Sequence, residues 1–286
     1  MNAHEVNKVG VVGLGTMGAG IAQLCIQAGL PTVVVETSAE LAEKGQGRIA
    51  SALSRLEQKG TISETQREAT LPLLQPATDI SALDGCDLVI EAVFESIEVK
   101  LDLFARLEDA VGPETVLATN TSALSVSEIA APLAHPERVV GMHFFNPAPV
   151  LPLVEIVRAE GTSEAAFATA YAFAQRLGKD PIACVDTPGF VVNRILNSGA
   201  SELWRLQEES GIDVKELDRV VAESKAAPVG PFFLADLIGL DTVLHVAEHL
   251  HGAYGDAFYV HAGMRALVAE GKLGAKTGEG FYDHGS

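Results

Sequence analysis

Between Lys8 and Glu36 the chain reads as a short apolar run, a cluster of glycines, a helix and a second apolar run ending on an acid. That order leaves few folds open. The runs are Val9-Gly10-Val11-Val12 and Thr32-Val33-Val34-Val35-Glu36, and between them stand Gly13-Leu14-Gly15-Thr16-Met17-Gly18, a helical stretch over residues 19–28 and the helix stop Gly29. Glycines at this spacing let a strand turn sharply into a helix, bring backbone N–H groups against a diphosphate, and pack helix on sheet. The diphosphate then rests on the helix N-terminus. Gly13, Leu14, Gly15, Thr16, Met17 and Gly18 are therefore expected to bind a dinucleotide. Glu36 suits the hydroxyls of an adenosine ribose and repels a 2′-phosphate, and no Arg follows closely, so NAD is expected over NADP.

A chain of 286 residues with 48% apolar content can form two domains around large cores. No apolar run approaches the roughly 20 residues of a membrane span, and the opening Met1-Asn2-Ala3-His4-Glu5 lacks the pattern of a secretory leader. Cys25, Cys86 and Cys184 are few and far apart, each within an expected helix or strand run, which suits buried thiols in a reducing, cytoplasmic setting. A formal charge of −18 argues against nucleic acid or an anionic membrane as partner. A phosphate-bearing ligand would need the few cations gathered at one place.

One such gathering follows Glu36. Ser38 opens a helical pattern reaching about Lys59, in which Lys44, Arg48, Arg55 and Lys59 fall within about 60° of one another at about 100° per residue. Ile49, Leu53 and Leu56 lie on the adjacent arc. The strip is either an ordinary solvated edge or a dock for the phosphates of a ligand such as coenzyme A. A second short helix over residues 63–71 makes a helical hairpin where a simple crossover would have one helix. Strands over residues 73–78, 87–91, 116–118, 138–142, 153–157 and 181–185 then alternate with helices over 96–110 and 163–177. This is the pattern of a Rossmann-type α/β fold, a doubly wound and mostly parallel sheet. Ligands lie beyond the carboxyl ends of such strands, which directs attention to Glu36, Glu95 and Ser122.

The strand at 138–142 delivers His143-Phe144-Phe145-Asn146-Pro147, and a Pro-rich connection leads into Leu153-Val154-Glu155-Ile156-Val157. Two extended runs joined by a stiff loop can set His143 beside Glu155. Each alone reads as a structural or solvated group. Paired, a carboxylate on one imidazole nitrogen fixes the tautomer and leaves the other nitrogen able to take a proton. After Asp186-Thr187-Pro188-Gly189 only helices are expected, over residues 189–209, 214–223, 242–254 and 260–270. We therefore expect an NAD-binding domain over 1–185 and an all-α domain over 186–286. His245-Val246-Ala247-Glu248-His249 matches a zinc-peptidase pattern, yet its helix separates apolar Val243, Val246, Ala247 and Leu250 from a polar face, as surface helices do, and no metal is expected.

With these residues laid out, the sequence resembles the L-3-hydroxyacyl-CoA dehydrogenase family, most closely its short-chain bacterial 3-hydroxybutyryl-CoA members. The resemblance rests on Gly13 to Gly18, Glu91-Ala92-Val93-Phe94-Glu95, Asn120-Thr121-Ser122, His143 to Pro147, Asp186 to Arg194, Gly230-Pro231-Phe232, Gly239-Leu240-Asp241 and Lys276 to Tyr282. It implies NAD-dependent oxidation of (S)-3-hydroxyacyl-CoA, as in fatty acid β-oxidation, with His143 as base and Glu155 orienting it. It further implies that Ser122 and Asn193 hydrogen-bond the reacting oxygens in a site between the domains. Glu36, Glu95, Lys100, Ser122, Asn146 and Lys276 would contact NAD, and the basic strip, Lys59 most clearly, would meet the CoA phosphates. A homodimer through the helical domain is also implied. The segment Leu196-Asn197-Ser198-Gly199-Ala200-Ser201-Glu202 is more polar than is common in the family, and Ala226-Ala227-Pro228-Val229 replaces a Gly-aromatic-Pro-Met sequence. Two other readings stay open: a dehydrogenase of a free hydroxy or sugar acid, and a non-catalytic NAD-binding protein.

Overall fold

Runs of β-branched residues make the centre of a single sheet, because strands covered on both faces bury every side chain. The computed structural model describes residues 3–285, which divide into two units, one ending at Thr187 and the other starting at Pro188. In the first, β1 (Val9–Val12), β2 (Thr32–Val35), β3 (Leu74–Ala77), β4 (Leu88–Glu91), β5 (Val116–Thr119), β6 (Val139–Phe144), β7 (Leu153–Arg158) and β8 (Asp180–Val185) form one sheet in the order β3-β2-β1-β4-β5-β6-β7-β8. β1 to β6 run parallel, β7 is antiparallel to β6, and β8 is parallel to β7. The order reverses between β1 and β4, the switch point at which ligands bind in such sheets.

Helices α1 (Thr16–Gln27), α2 (Ala39–Gln58), α3 (Glu64–Thr70), α4 (Ile97–Ala110), α5 (Val126–Ala130) and α6 (Glu164–Arg176) complete this unit. α2 and α3 are the expected hairpin, each started by a serine: Ser38 accepts from Leu41 N–H, and Ser63 forms a capping box with Gln66. Arg67 and Glu57 join them at 2.6 Å. The first helix begins three residues before the expected start, at Thr16, since the glycine turn itself supplies the first turn. A 3-10 turn, Leu71–Leu73, takes up the expected start of β3, because Pro72 cannot donate to a ladder. α5 escaped the periodicity reading because five residues are too few to show one. Cys86 lies in the turn before β4, outside a helix or strand. Burial still pushes its thiol up to about 11, and those of Cys25 and Cys184 to about 12, which leaves all three unreactive.

The second unit comprises α7 (Val192–Ser210), α8 (Val214–Glu223), α9 (Pro231–Ile238), α10 (Leu240–Tyr254) and α11 (Ala262–Ala269) around Trp204, Phe232, Leu240 and Met264. α9 was not expected, since Pro231-Phe232-Phe233-Leu234-Ala235-Asp236-Leu237-Ile238 has almost no polar face to reveal a period. It is set by buried Asp218, which accepts from the N–H groups of Phe232 and Phe233 and from the Tyr282 hydroxyl. The expectation of helices alone is also corrected: Gly274 and Glu279, and Glu279 and Asp283, form isolated antiparallel bridges. That turn is fastened by Asp236, fully buried, which accepts from Phe281 N–H, Tyr282 N–H and His284 Nε2. No described helix is long and apolar enough to cross a membrane.

α11 starts on a histidine. His261 Nδ1 accepts from Met264 N–H at 3.0 Å while Nε2 meets Gln207 Oε1 at 2.8 Å, an arrangement that requires the neutral ring. Burial lowers its pKa from the ordinary 6.5, with the Glu208 carboxylate opposing. As pH falls through 6.5 the unfolded chain takes up this proton before the folded one does, so stability drops until the folded ring is protonated as well. His261→Asn, which keeps the cap, should therefore lose less stability between pH 8 and pH 5 than the wild type, read from urea unfolding midpoints. Equal losses would remove His261 from the pH response.

Candidate active site

The glycine turn is built as its spacing requires. Gly13 has φ +89°, and a Cβ there would stand 2.7 Å from the Ala92 carbonyl oxygen. At Gly18 a Cβ would stand 1.8 Å from the Gly13 oxygen, so neither position admits a side chain. At Gly15 it would meet nothing within 4 Å, and no side chain caps the helix that follows. The first-turn N–H groups of α1 thus fit a diphosphate.

Leu14, inside this turn, is clamped on three sides. Glu36, just past β2, accepts Leu14 N–H at 2.6 Å and Thr37 N–H at 3.1 Å. Arg48 of α2 donates to the Leu14 carbonyl at 3.1 Å. A Cβ on Gly45 would stand 2.5 Å from the Leu14 Cβ, so α2 lies directly on the turn. Lys44, Arg48 and Arg55 line a shallow concavity with Gly47 and Ser51. Lys59, the residue after the last turn of α2, is exposed and off that lining.

Beyond β4 and β5 lies a chain of charges. Glu91, fully buried, accepts from Val93 N–H, from the Thr119 hydroxyl and from the Lys100 ammonium at 2.6 Å. The same ammonium stands 3.2 Å from Glu95. Glu95 in turn accepts from the Thr121 hydroxyl, Ser122 N–H and Ala123 N–H. Burial would raise the Glu95 carboxyl, but Lys100 and the bonds from Thr121 and Ser122 outweigh it and hold it below the ordinary carboxylate value. Glu95 therefore stays ionised at neutral pH and fixes the turn that carries Ser122. Lys100, 1% exposed, sits beneath it.

His143 and Glu155 face each other across the antiparallel pair of β6 and β7, in direct register. Nδ1 and Oε2 are 2.7 Å apart, and the two residues are 4% and 0% exposed. With the carboxylate ionised, Nδ1–H is the donor. The Phe145 ring packs 4.5 Å from the imidazole, centre to centre. Cys184 Sγ lies 3.8 Å from Glu155 Oε1. Asn146 follows on an exposed turn. His143 ends on the same edge of the sheet as the glycine turn, because β1 and β6 run in the same direction.

Two expected site residues belong to the second unit. Asn193 lies in the first turn of α7, its carbonyl accepting from Asn197 Nδ2 at 2.9 Å. Lys276 donates to Asp241 at 2.7 Å and to Thr242 at 3.1 Å. The sequence alone assigns no role to Glu91 or Thr119. An acid inside a buried strand, with a lysine nine positions on, was the available signal.

Comparison with known proteins follows the same outline. The profile of the 3-hydroxyacyl-CoA dehydrogenase NAD binding domain matches residues 8–187, and that of the 3-hydroxyacyl-CoA dehydrogenase C-terminal domain matches residues 189–284. The chain is 40% identical to a 3-hydroxybutyryl-CoA dehydrogenase of Mycobacterium tuberculosis, over 99% of this chain and all of that one. It is 40% identical to the 3-hydroxyadipyl-CoA dehydrogenase of Escherichia coli over 98% of this chain and 59% of that protein. The crystal structure of (S)-3-hydroxybutyryl-CoA dehydrogenase PaaH1 from Ralstonia eutropha superposes with a TM-score of 0.93 at 38% identity, over 99% of this chain and all of that one.

The buried charges make one stability prediction. Lys100→Met leaves the Glu91 carboxylate without its counter-ion and should cost about 3–5 kcal/mol, the usual penalty for breaking a buried pair from one side. Glu91→Gln combined with Lys100→Met should recover much of that loss in urea unfolding. A double variant no more stable than the single one would show that the charge is not the cause.

Proposed function

The chain belongs to the 3-hydroxyacyl-CoA dehydrogenase family, and from that membership we propose that it oxidises short-chain (S)-3-hydroxyacyl-CoA, 3-hydroxybutyryl-CoA first among them, to 3-oxoacyl-CoA. NAD, when bound, supplies the hydride acceptor. The observation that carries this reading is the buried, hydrogen-bonded pair of His143 and Glu155 on the sheet edge that also carries the glycine turn.

In this mechanism Nε2 of His143 takes the proton of the C3 hydroxyl as hydride leaves C3. Glu155 holds the ring through Nδ1 and stabilises the positive charge that the ring acquires. Ser122 and Asn193 hydrogen-bond the reacting oxygens. Gly13 to Gly18, Glu36, Glu95, Ser122, Asn146 and Lys276 hold NAD, and Lys100 acts on it through Glu95. Lys44, Arg48, Arg55 and Lys59 meet the CoA phosphates; the concavity formed by three of them on a chain of net charge −18 favours a thioester of CoA over a free acid. The reading includes a homodimer through the helical unit, supported by exposed Ile195, Leu196, Leu237 and Ile238. It also includes a cytoplasmic setting, supported by three buried, unpaired cysteines.

The deciding experiment measures NADH formation from C4 to C16 3-hydroxyacyl-CoAs and from the matching free acids. Turnover of the thioesters, best at the short end, is expected; turnover of free acids alone would move the assignment to a hydroxy- or sugar-acid dehydrogenase. His143→Ala should lower kcat by about 10²–10⁴ with NADH affinity nearly intact, the scale of a lost general base. A drop of only a few-fold would take His143 out of the mechanism. Glu36→Ala should weaken NAD and relax the rejection of NADP, read as the ratio of kcat/KM for the two coenzymes. If NADP already serves the wild type as well as NAD, Glu36 is not the discriminator.

A further inference from the structure

His143 and Glu155 are connected by a single loop, residues 145–152, which is held from two sides. On one side it lies on α1, the helix of the glycine turn: a Cβ built on Gly20 would stand 3.1 Å from Pro149 Cδ and 3.3 Å from Ala148 Cβ, tighter than ordinary contact. On the other side stands Lys179, the residue before β8. Its ammonium donates to the carbonyl oxygens of Ala148 at 2.6 Å and Leu151 at 2.9 Å. Lys179 is 7% exposed, and among the described residues no carboxylate forms an ion pair with it.

A buried ammonium without a counter-ion is a costly way to fill space. If packing were all that the position had to provide, methionine or leucine would provide it without the desolvation. What the ammonium adds is direction: two short hydrogen bonds that fix the carbonyls on either side of Pro149 and Val150. The backbone adds a third tie, Asp180 N–H to the Pro152 carbonyl at 2.8 Å. The loop that joins the two strands of the catalytic pair is thereby pinned between the nucleotide helix and the last strand.

We propose that Lys179 is a positioning residue for hydride transfer, holding the loop so that the imidazole of His143 keeps its place relative to the cofactor motif. It touches neither substrate nor NAD, and its role rests on His143 being the base.

The test compares Lys179→Met, Lys179→Gln and Lys179→Arg with the wild type in kcat, NADH affinity, melting temperature and the primary isotope effect of substrate deuterated at C3. At a temperature well below its own melting point, Lys179→Met should lose about 10–100-fold in kcat, the scale of a misplacement near 1 Å. Its NADH affinity should stay within about threefold, since only the transition-state alignment is disturbed. The isotope effect should rise as hydride transfer becomes the slow step, and Lys179→Arg should restore most of the turnover. Should Lys179→Met fail to fold, Lys179→Gln, which keeps two donors on a neutral stem, should show the same losses in smaller measure. A lowered melting temperature with wild-type kcat and isotope effect in the foldable variant would overturn the inference and leave Lys179 a structural staple. Wild-type turnover in Lys179→Met beside an inactive His143→Ala overturns this inference alone; wild-type turnover in His143→Ala overturns the reading beneath it.

Discussion

A reversal of one strand direction is the constraint on which the candidate site depends. In a purely parallel sheet, consecutive strands are joined by a crossover of a dozen or more residues, and two side chains opposite each other come from distant segments. β7 instead returns beside β6 through a short loop and runs the other way, so His143 and Glu155 meet in register from positions twelve apart. Both project from the same face because cross-strand partners do. The sheet around them excludes water, which strengthens the bond between the imidazole and the carboxylate. The geometry of the pair is thus a property of the topology, and β8 extends the sheet beyond it so that β7 is not left as an edge.

The same unit shows how an acidic chain handles its few cations. Lys100 is spent inside, between Glu91 and Glu95, where it helps hold the Glu95 carboxyl below its ordinary value next to the turn of Ser122. Lys179 is spent on carbonyl oxygens. Lys44, Arg48 and Arg55 are left on one face of α2, where their combined field is the local exception to the net charge. The first two placements answer different demands, charge balance and backbone satisfaction.

Much of this was legible in the sequence, and the reason differs by element. The glycine turn could be read because backbone crowding, visible at Gly13 and Gly18, leaves no other residue type possible there. The strands could be read because β-branched runs bounded by glycine and polar residues have few other uses. The meeting of His143 with Glu155 was readable from the stiff, Pro-rich connection, although spacing alone allowed a structural role for each. The burial of Lys100 was not readable: a lysine on an amphipathic helix ordinarily points to water, and this one turns inward to pair with buried Glu91. Lys179 was hidden for a related reason, since a cation just after a helix stop looks like an ordinary terminal charge. α9 was missed because its sequence is apolar on nearly every side, and what defines it is Asp218, a residue of another helix.

The clamp on Leu14 has a consequence for how such a chain can change over time. Its N–H is taken by the acid after β2, its carbonyl by an arginine of α2, and its side chain by the bare backbone at Gly45. The helical hairpin is therefore no detachable ornament on the glycine turn. A mutation that tilted or shifted it would pull on the main chain of the turn beneath, so hairpin and turn are free to diverge among descendants only as a matched set.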